Sequence, residues 1–382
     1  MELSVLQENF TKALNNASRI ATSRTQLPIL NNILLRTDGN RLLVAAMNME
    51  VATMHYIGTK IIKPGSITVP ARLITEFVSS LPKEKIDLKV EGEHLIIKAG
   101  KYSSVINGIA ADDFPELPAI DENTAIQYEI APHDFKQAVN QTIIAASNDA
   151  ARPILTGVYW YSFEGNLYLA GTDGYRLAER CLVSTESEVA AIIPTNSLQE
   201  ALRVINDNTS QVTILFDESQ VRFKIDDTEI TSQLIDGNFP PYRQLIPVSN
   251  ETNVIIKKDD FMRITKIAGL FSRDSGGSVT ITADSEKGEL SLHSVASGFK
   301  LLFKGCRSFS GYTQYSETVH SVARYLIFEN AVSETQKNES VRPRFAICGK
   351  YVYAALRSIR IQVLICSEFF YGTHHTEAFH SA

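Results

Sequence analysis

The sequence predicts an α+β protein made of three tandem repeats, each with two helices packed on antiparallel sheet. Three observations support this class. The chain has 382 residues, which is too long for one ordinary core and suggests two or three domains. Its apolar residues change between helical and alternating spacing in an order that recurs along the chain. Its landmark residues return at a nearly constant interval, which is the signature of internal repeats.

The repeat interval follows from landmarks shared by the first two thirds of the chain. The interval is 125 from Phe10 to Phe135, 125 from Leu30 to Leu155, 124 from Pro70 to Pro194 and 125 from Phe114 to Phe239. A third unit begins with Asp259-Asp260-Phe261, in which Phe261 lies 126 residues after Phe135. Because polar linkers separate the units, we expect repeats at residues 1–122, 127–248 and 253–382.

Each repeat is predicted to contain the same elements in the same order. The first helix is predicted from apolar residues at helical spacing, namely Phe10, Ala13, Leu14, Ala17 and Ile20. Strands are expected at 32–36, 41–46, 51–57, 86–90, 94–99 and 103–109, with a second helix at 71–81. In the middle repeat, helices are predicted at 133–147 and 197–205. One face of each helix would pack on sheet and leave the other face free.

The composition is that of a soluble globular protein, with 44% hydrophobic and 21% charged residues. The start of the chain has no basic region followed by an apolar one, so we expect no signal peptide. The four cysteines form no CxxC pair and favour a reducing cytoplasm. The net charge of −6 disfavours nucleic acid only weakly, because basic side chains gathered on one face matter more than the total.

The functional prediction depends on three stretches of the middle third: Arg152–Gly157, Gly171–Ala178 and Phe239–Arg243. Within the second, Thr172-Asp173-Gly174 indicates a turn, because Gly permits positive φ and Asp bonds its own backbone. Arg176 and Leu177 would then lie beside Leu155 in a cleft suited to a short peptide. The alternative interpretation is an ordinary hairpin corner with a partly buried leucine.

These three stretches resemble, in order and spacing, the middle domain of the bacterial DNA polymerase III beta subunits, the family of replicative sliding clamps. The resemblance extends from Met1 to about Phe299. It implies the DNA clamp fold, in which each chain forms an arc, or half ring, and two chains join head to tail around double-stranded DNA. It also implies a non-catalytic processivity factor without cofactor, which tethers the replicative polymerase, the clamp loader and repair proteins.

In a closed ring of repeats, basic helix faces would line the channel and contact phosphates without regard to base sequence. The expected DNA-binding residues are Lys12, Arg24, Arg72, Arg152, Arg203, Arg263, Lys266 and Arg273. Of these, Arg24, Arg72 and Arg152 are carried over from the family. Thr195-Asn196-Ser197 departs from the basic residues that many members have, so weaker phosphate contact is expected there. In an isolated unit the same faces would be ordinary solvated helix surfaces.

The resemblance also implies a groove for short apolar peptide motifs of partner proteins. Its expected residues are Leu155, Thr172, Gly174, Tyr175, Arg176, Leu177, Pro240, Gln244 and Leu245. The leucines would supply apolar walls, whereas Thr172 and Arg176 would anchor the peptide at the rim. For the contact between two copies of the chain, the resemblance implies Leu270, Phe271 and Ile106.

After Gly298-Phe299 the resemblance stops. Three of the four cysteines and five of the eight histidines lie beyond residue 290. Fragments such as Ala323–Ile327 and Gly349-Lys350 still resemble the family amid unrelated sequence, from which we hypothesise reading-frame slips in the gene. Because the family's third domain meets the partner's first domain, this region decides whether a ring closes.

Two other functions stay open from the sequence. One is a metal-dependent nuclease using Asp112-Asp113, Asp226-Asp227 or Asp259-Asp260, although adjacent strand residues point to opposite faces. The other is a monomeric clamp-like peptide-binding module that cannot close a ring. No nucleotide-binding loop or serine elbow is present. Cys366, His374, His375 and His380 lack structural-zinc spacing, so no metal is expected. Trp160 and the single histidines His55, His94 and His133 are predicted to be structural.

Overall fold

The computed structural model describes residues 1–21, 27–174, 176–245, 252–257, 263–267, 279–284, 289–294, 308–310, 314–319, 344–348, 351–355 and 360–366. The chain divides into two compact units. The first comprises Met1–Asn140, Asp149–Tyr168 and Leu182–Asn238, and the second comprises the described parts of Gln141–Asn148, Leu169–Cys181 and Phe239–Ala382. None of the helices in these described ranges is long and apolar enough to cross a membrane. The three repeat boundaries stay a prediction.

The amino-terminal part of the first unit contains every predicted element in the predicted order, together with three strands that were not predicted, at 2–6, 60–63 and 66–70. In chain order its helices and strands are β1 (Glu2–Leu6), α1 (Gln7–Ala21), β2 (Asn32–Asp38), β3 (Arg41–Met47), β4 (Val51–Gly58), β5 (Lys60–Lys63), β6 (Ser66–Pro70), α2 (Ala71–Ser79), β7 (Lys85–Glu91), β8 (His94–Ala99) and β9 (Tyr102–Asn107). Helix α1 buries Phe10, Leu14 and Ala17, which belong to the predicted apolar face. Glu8 in its first turn and Arg19 in its last turn suit the helix dipole. Five of the strands form a sheet in the order β5-β1-β7-β8-β9.

The second group of elements repeats this order. It consists of β10 (Ile126–Ile130), α3 (Pro132–Ile143), β11 (Gly157–Phe163), β12 (Asn166–Thr172), β13 (Arg176–Ser184), β14 (Ala190–Pro194), α4 (Thr195–Val204), β15 (Val212–Phe216), β16 (Gln220–Ile225) and β17 (Thr228–Gln233). Short 3-10 helices at Pro153–Thr156 and Tyr242–Leu245 lie in two of the stretches that the sequence singled out. Helices α1 and α3, and likewise α2 and α4, begin at equivalent places one repeat interval apart.

One sheet joins the first two repeats within the first unit. Strands β4 and β17 pair antiparallel from His55 with Thr228 to Val51 with Ser232, a contact that we call the seam. The seam produces an eight-stranded sheet in the order β10-β15-β16-β17-β4-β3-β2-β6. Because its strands belong to both repeats, the backbone hydrogen bonds of the sheet connect them directly.

A buried histidine lies in the seam. His55 is 4% exposed, and its ring nitrogens lie 2.9 Å from Thr53 Oγ1 and 2.9 Å from Thr228 Oγ1. Burial, and secondarily the charge of Lys12, lowers the pKa of His55 to about 4. His55 therefore has the structural role that the sequence predicts, as a neutral side chain that connects β4 and β17.

The core of the second repeat is aromatic. Trp160 is fully buried, with its ring centroid 6.3 Å from that of Phe135 and 5.9 Å from that of Phe216. Phe135 also meets Phe223 edge-on at 5.7 Å. Tilted and edge-on pairs of this kind add to the stabilisation from buried area. The prediction that Trp160 packs under the sheet is confirmed.

The second unit contains strands from the last third of the chain. They are β18 (Thr252–Lys257), β19 (Val279–Asp284), β20 (Glu289–Ser294), β21 (Ser308–Ser310), β22 (Gln314–Val319), β23 (Arg344–Cys348), β24 (Tyr351–Ala355) and β25 (Arg360–Cys366). The pairs β19–β20 and β19–β22 are antiparallel, as predicted. The pairs β13–β23 and β18–β25 are parallel and so depart from the predicted antiparallel pattern. Both involve strands beyond residue 299, where the sequence departs from the family.

Candidate functional site

The predicted turn is present between β12 and β13. Gly174 has φ of +90°, the left-handed conformation that glycine adopts without strain. Thr172 Oγ1 donates to the carbonyl of Arg176 at 2.7 Å and accepts the Gly174 N–H at 3.1 Å. Asp173 Oδ1 accepts the backbone N–H of Arg176 at 2.9 Å. Each side chain of the turn therefore bonds to its backbone, which holds one conformation.

The start of β13 places a cation beside a buried leucine. Arg176 Nε lies 3.1 Å from Asp173 Oδ2, and the two side chains are 16% and 20% exposed. Nε is not aligned for a hydrogen bond, so the contact is an ion pair. Leu177 is only 7% exposed. The turn thus presents a fixed, partly buried guanidinium and not a freely moving surface arginine.

A buried carboxylate connects β13 to the stretch Phe239–Arg243. The side chain of Glu179 is 3% exposed and accepts hydrogen bonds from Tyr242 Oη and, at 3.2 Å, from Arg243 Nη2. The ring of Phe239 stands edge-on to that of Tyr242, with centroids 6.1 Å apart. Losing a partner of a buried charge is costly, so these bonds fix the stretch Phe239–Arg243 against β13.

Sequence reasoning missed Glu179, and it included Tyr242 and Arg243 only as members of the stretch Phe239–Arg243, without giving either a role. A signal was nevertheless present, because Glu179 lies two residues after Leu177 and so shares its face of the strand. A glutamate on a buried face indicates a buried partner.

The backbone beneath the turn leaves no room for a side chain at Gly171. A Cβ there would lie 2.4 Å from the carbonyl oxygen of Thr142. The glycine that begins this stretch is therefore required by the close approach of two backbone segments.

The remaining predicted groove residues are distributed as follows. Gly174, Pro240 and Gln244 are exposed. Leu155 belongs to the first unit, where it is half-buried in the 3-10 helix Pro153–Thr156. Tyr175 and the side chain of Leu245 lie outside the described residues.

Most of the predicted DNA-binding residues are exposed. Lys12 lies on α1, Arg203 lies on α4, and Arg263 and Lys266 lie in the helical residues 263–267. Arg24 and Arg273 lie outside the described residues.

Three of these arginines pair with a neighbouring carboxylate. Arg72 Nε lies 2.8 Å from Glu76, Arg152 Nε lies 3.0 Å from Asp149, and Arg203 pairs with Glu200. The backbone N–H of Ala151, and then Arg152, lower the pKa of Asp149. Exposed pairs of this kind are weak because water screens the charges, so the arginines can exchange these carboxylates for phosphates.

The edge strand β9 contains the predicted contact residue Ile106. Its side chain is 2% exposed and faces the core, whereas Tyr102 and Val105 of the same strand are 47% and 59% exposed. In the isolated chain, therefore, β9 offers these two side chains and its backbone edge, and not the Ile106 side chain. Leu270 and Phe271 lie outside the described residues.

The structure describes two of the three carboxylate pairs, Asp112-Asp113 and Asp226-Asp227. Asp226, in the β16–β17 turn, accepts a hydrogen bond from Thr209 at 2.8 Å, and Asp227 lies 3.7 Å from Arg41. Within the part of the chain that the structure describes, no group of three or more His, Cys, Asp or Glu side chains is suited to hold a metal ion. Asp259-Asp260 and the histidines after residue 366 lie outside it.

Comparison with known proteins gives consistent matches over the first two repeats. The family model for the N-terminal domain of the DNA polymerase III beta subunit matches residues 1–118, and that for its central domain matches residues 129–241. The beta sliding clamp of Bacillus subtilis (strain 168) is 32% identical over 292 residues, covering 73% of this chain and 76% of that protein. That of Synechococcus elongatus is 29% identical over 304 residues, covering 76% and 80%.

Solved structures with the same fold include several clamps. The DNA polymerase sliding clamp from Bacillus subtilis has a TM-score of 0.79 at 24% identity, covering 97% of this chain and 100% of that chain. The beta subunit from Streptococcus pyogenes has a TM-score of 0.76 at 23% identity, covering 84% and 87%. The sliding clamp from Bartonella birtlesii, solved bound to griselimycin, has a TM-score of 0.74 at 25% identity, covering 84% and 87%.

Proposed function

Because this chain belongs to the family of DNA polymerase III beta subunits, the beta sliding clamps, we propose which of its residues perform the family's task. The predicted clamp fold is confirmed by the solved relatives. The protein is a processivity factor of the replicative polymerase and not an enzyme, so the nuclease alternative is not favoured. Its mechanism is topological: encircling DNA replaces tight binding, and the clamp slides on contacts that do not depend on sequence.

We assign partner binding to the turn Thr172–Gly174, the adjacent Arg176 and Leu177, and the stretch Phe239–Gln244. The observation that carries this assignment is the buried Glu179, which accepts hydrogen bonds from Tyr242 and Arg243 and so fixes two distant stretches together. A preorganised site loses less conformational entropy when a peptide binds. The ion-paired Arg176 then supplies a directed cation to the peptide.

The binding assignment can be tested with griselimycin, which is bound in the clamp structures from Bartonella birtlesii and Pseudomonas aeruginosa. Titration into the full chain should give saturable binding. The double variant Arg176→Ala, Leu177→Ala should weaken it by about tenfold or more, because hot-spot residues each contribute about 1–2 kcal/mol or more. Arg36→Ala removes an exposed arginine of β2 and serves as the matched control. Unchanged affinity in the double variant would refute the assignment.

For DNA we propose sequence-independent contacts from Lys12, Arg72, Arg152, Arg203, Arg263 and Lys266. The support is their exposure and the weak carboxylate pairs that three of them make. Binding to linear duplexes of different sequence should have equal affinity and a steep dependence on salt. Each phosphate contact removed, for example by Lys12→Ala, should reduce the slope of log K against log salt by about one. The neutral variant Asn15→Ala on the same helix controls for helix stability.

For assembly we propose a homodimeric ring in which β9 offers its free edge to the second copy. The support is its position at the end of the five-stranded sheet, with Tyr102 and Val105 exposed. Sedimentation of the purified protein should give a dimer, and Val105→Lys should shift it towards monomer. A monomer at micromolar concentration would favour the module that cannot close a ring. A cytoplasmic location is part of the same proposal.

A further inference from the structure

The first two repeats differ at the outer edge of their first strand. In the first repeat, β5 pairs with β1 and places Lys60 opposite Ser4 and Lys63 opposite Glu2. In the second repeat, none of the described strands pairs with the outer edge of β10, the counterpart of β1. An interval of 125 residues puts Thr185–Glu188 where the first repeat has Lys60–Lys63, and this segment is a bend without strand structure.

The sequence explains why the segment does not form a strand. Lys-Ile-Ile-Lys of β5 has β-branched apolar residues, whereas Thr-Glu-Ser-Glu has none. Its polar groups bond outside a strand ladder instead: Thr185 Oγ1 accepts the Ser187 N–H at 3.0 Å and donates to the side chain of Tyr128, in β10, at 3.2 Å. The Ser187 carbonyl accepts from Ser162 Oγ at 2.7 Å. Such bonds compete with pairing in a sheet. Glu129 of β10 is exposed, whereas its counterpart Ser4 is 6% exposed.

A cavity of about 600 Å³ lies at the start of β10, where Ile126 lines it together with the residues that follow the bend, from Glu188 to Ala191. Its apolar lining includes Ile126, Phe216 and Leu234, and its acidic rim consists of Glu188, Asp217 and Glu218. Glu188 and Glu218 are exposed. Asp217 uses one oxygen to accept the backbone N–H groups of Ser219 at 2.8 Å and Gln220 at 2.7 Å, which fixes its carboxylate at the rim.

We propose that the outer edge of β10 and this cavity form a docking site for an extended segment of a partner protein that carries lysines beside β-branched apolar residues. The backbone edge would pair with the segment as an added strand, and the cavity would receive its apolar side chains. The acidic rim complements its lysines. The chemistry of the occupant follows from β5, the strand of this chain that covers the equivalent edge in the first repeat. The site uses none of the residues assigned to the groove or to DNA.

The probe is a fluorescent peptide with the sequence of Gly58–Gly65, which contains β5, titrated into the full chain and followed by anisotropy. Saturable binding is expected. The triple variant Glu188→Gln, Asp217→Asn, Glu218→Gln should weaken it by about fivefold or more, since three charge contacts are lost. Asparagine at position 217 keeps the acceptor for the turn, so the fold is retained. The peptide with both lysines replaced by glutamate should bind at least about fivefold more weakly to the unmodified protein.

Two further variants separate this site from general attraction to an acidic protein. A control triple variant removes three exposed glutamates that do not line the cavity: Glu50→Gln, Glu93→Gln, Glu116→Gln. It changes the net charge by as much as the first triple variant does and should leave the affinity for the peptide unchanged. Ala190→Tyr fills the cavity from an exposed position of β14 and should abolish binding. In hydrogen exchange, the peptide should slow exchange in Ile126–Ile130 and not in Tyr102–Asn107.

The proposal is overturned by any of four results. These are absence of saturable binding, equal weakening by the two triple variants, unchanged affinity in Ala190→Tyr, or protection of β9 in place of β10. None of these results bears on griselimycin binding at the groove, so the two proposals succeed or fail separately.

Discussion

Mild acidification should lower the free energy of unfolding of this protein, and replacing the buried histidine of the seam should prevent much of that loss. His55 lies between Thr53 and Thr228, and burial lowers its pKa to about 4 from the ordinary value of 6.5. Both threonine hydroxyls can accept hydrogen bonds from a protonated ring. The lowered pKa therefore comes from taking the charge out of water, with a smaller contribution from Lys12.

The direction of the pH dependence of stability follows from which state, folded or unfolded, binds the proton more readily. Between the pKa of about 4 in the folded chain and 6.5 in the unfolded chain, the unfolded state holds more protons, so stability falls as pH falls through this window. The full effect of the shift is about 3 kcal/mol, of which about 2 kcal/mol is lost between about pH 7 and about pH 5. His55→Gln keeps a polar side chain that does not titrate, so the variant should not show this loss of stability on acidification.

The assay is urea unfolding of the wild-type and variant proteins at both pH values, with hydrogen exchange in β4 and β17 as a local measurement. His94→Gln removes an exposed histidine that lies 3.0 Å from Asn107 and is the matched control, expected to keep the wild-type dependence on pH. If His55→Gln loses as much stability on acidification as the wild-type protein, the ring is not held neutral by burial and the reasoning is wrong.

Three further outcomes are expected. Gly171→Ala should destabilise the protein by about 1–3 kcal/mol in urea unfolding because its Cβ would meet the Thr142 carbonyl at 2.4 Å, whereas Gly58→Ala, with open space around it, should change stability little. Tyr242→Phe removes a donor to buried Glu179 and should cost about 1–3 kcal/mol of stability and weaken griselimycin binding, while Tyr102→Phe at the exposed edge should do neither. Resequencing the DNA that encodes residues after 299 should reveal reading-frame slips, and an unambiguous in-frame sequence would end that hypothesis.

The fold of the first two repeats was predictable because its helices and strands follow local spacing of apolar residues. The helix predicted at 71–81 is observed at Ala71–Ser79, and that predicted at 197–205 at Thr195–Val204. The helix predicted at 133–147 ends at Ile143, where Ala145 and Ala146 continue the apolar pattern but bond to carbonyls three residues back. Strand β5 was missed because its stability comes from pairing with β1, which local sequence does not show.

The candidate site was predictable only in part for the same reason. The turn at Thr172–Gly174 is encoded by neighbouring residues, and it was found. The bond between Tyr242 and Glu179 joins residues 63 apart in sequence, and spacing alone gave no reason to connect them. Ile106 was named without regard to strand alternation, which directs its side chain into the core.

The seam has a mechanical consequence. A ring must part somewhere to admit DNA, and it parts where the fewest interactions have to be broken. Separating the first two repeats would require breaking the continuous strand pairing between β4 and β17, from Val51 to His55, and exposing the His55 ring to water. The first two repeats should therefore move as one rigid body while the clamp is loaded onto DNA. The ring should open at a different interface of the assembly.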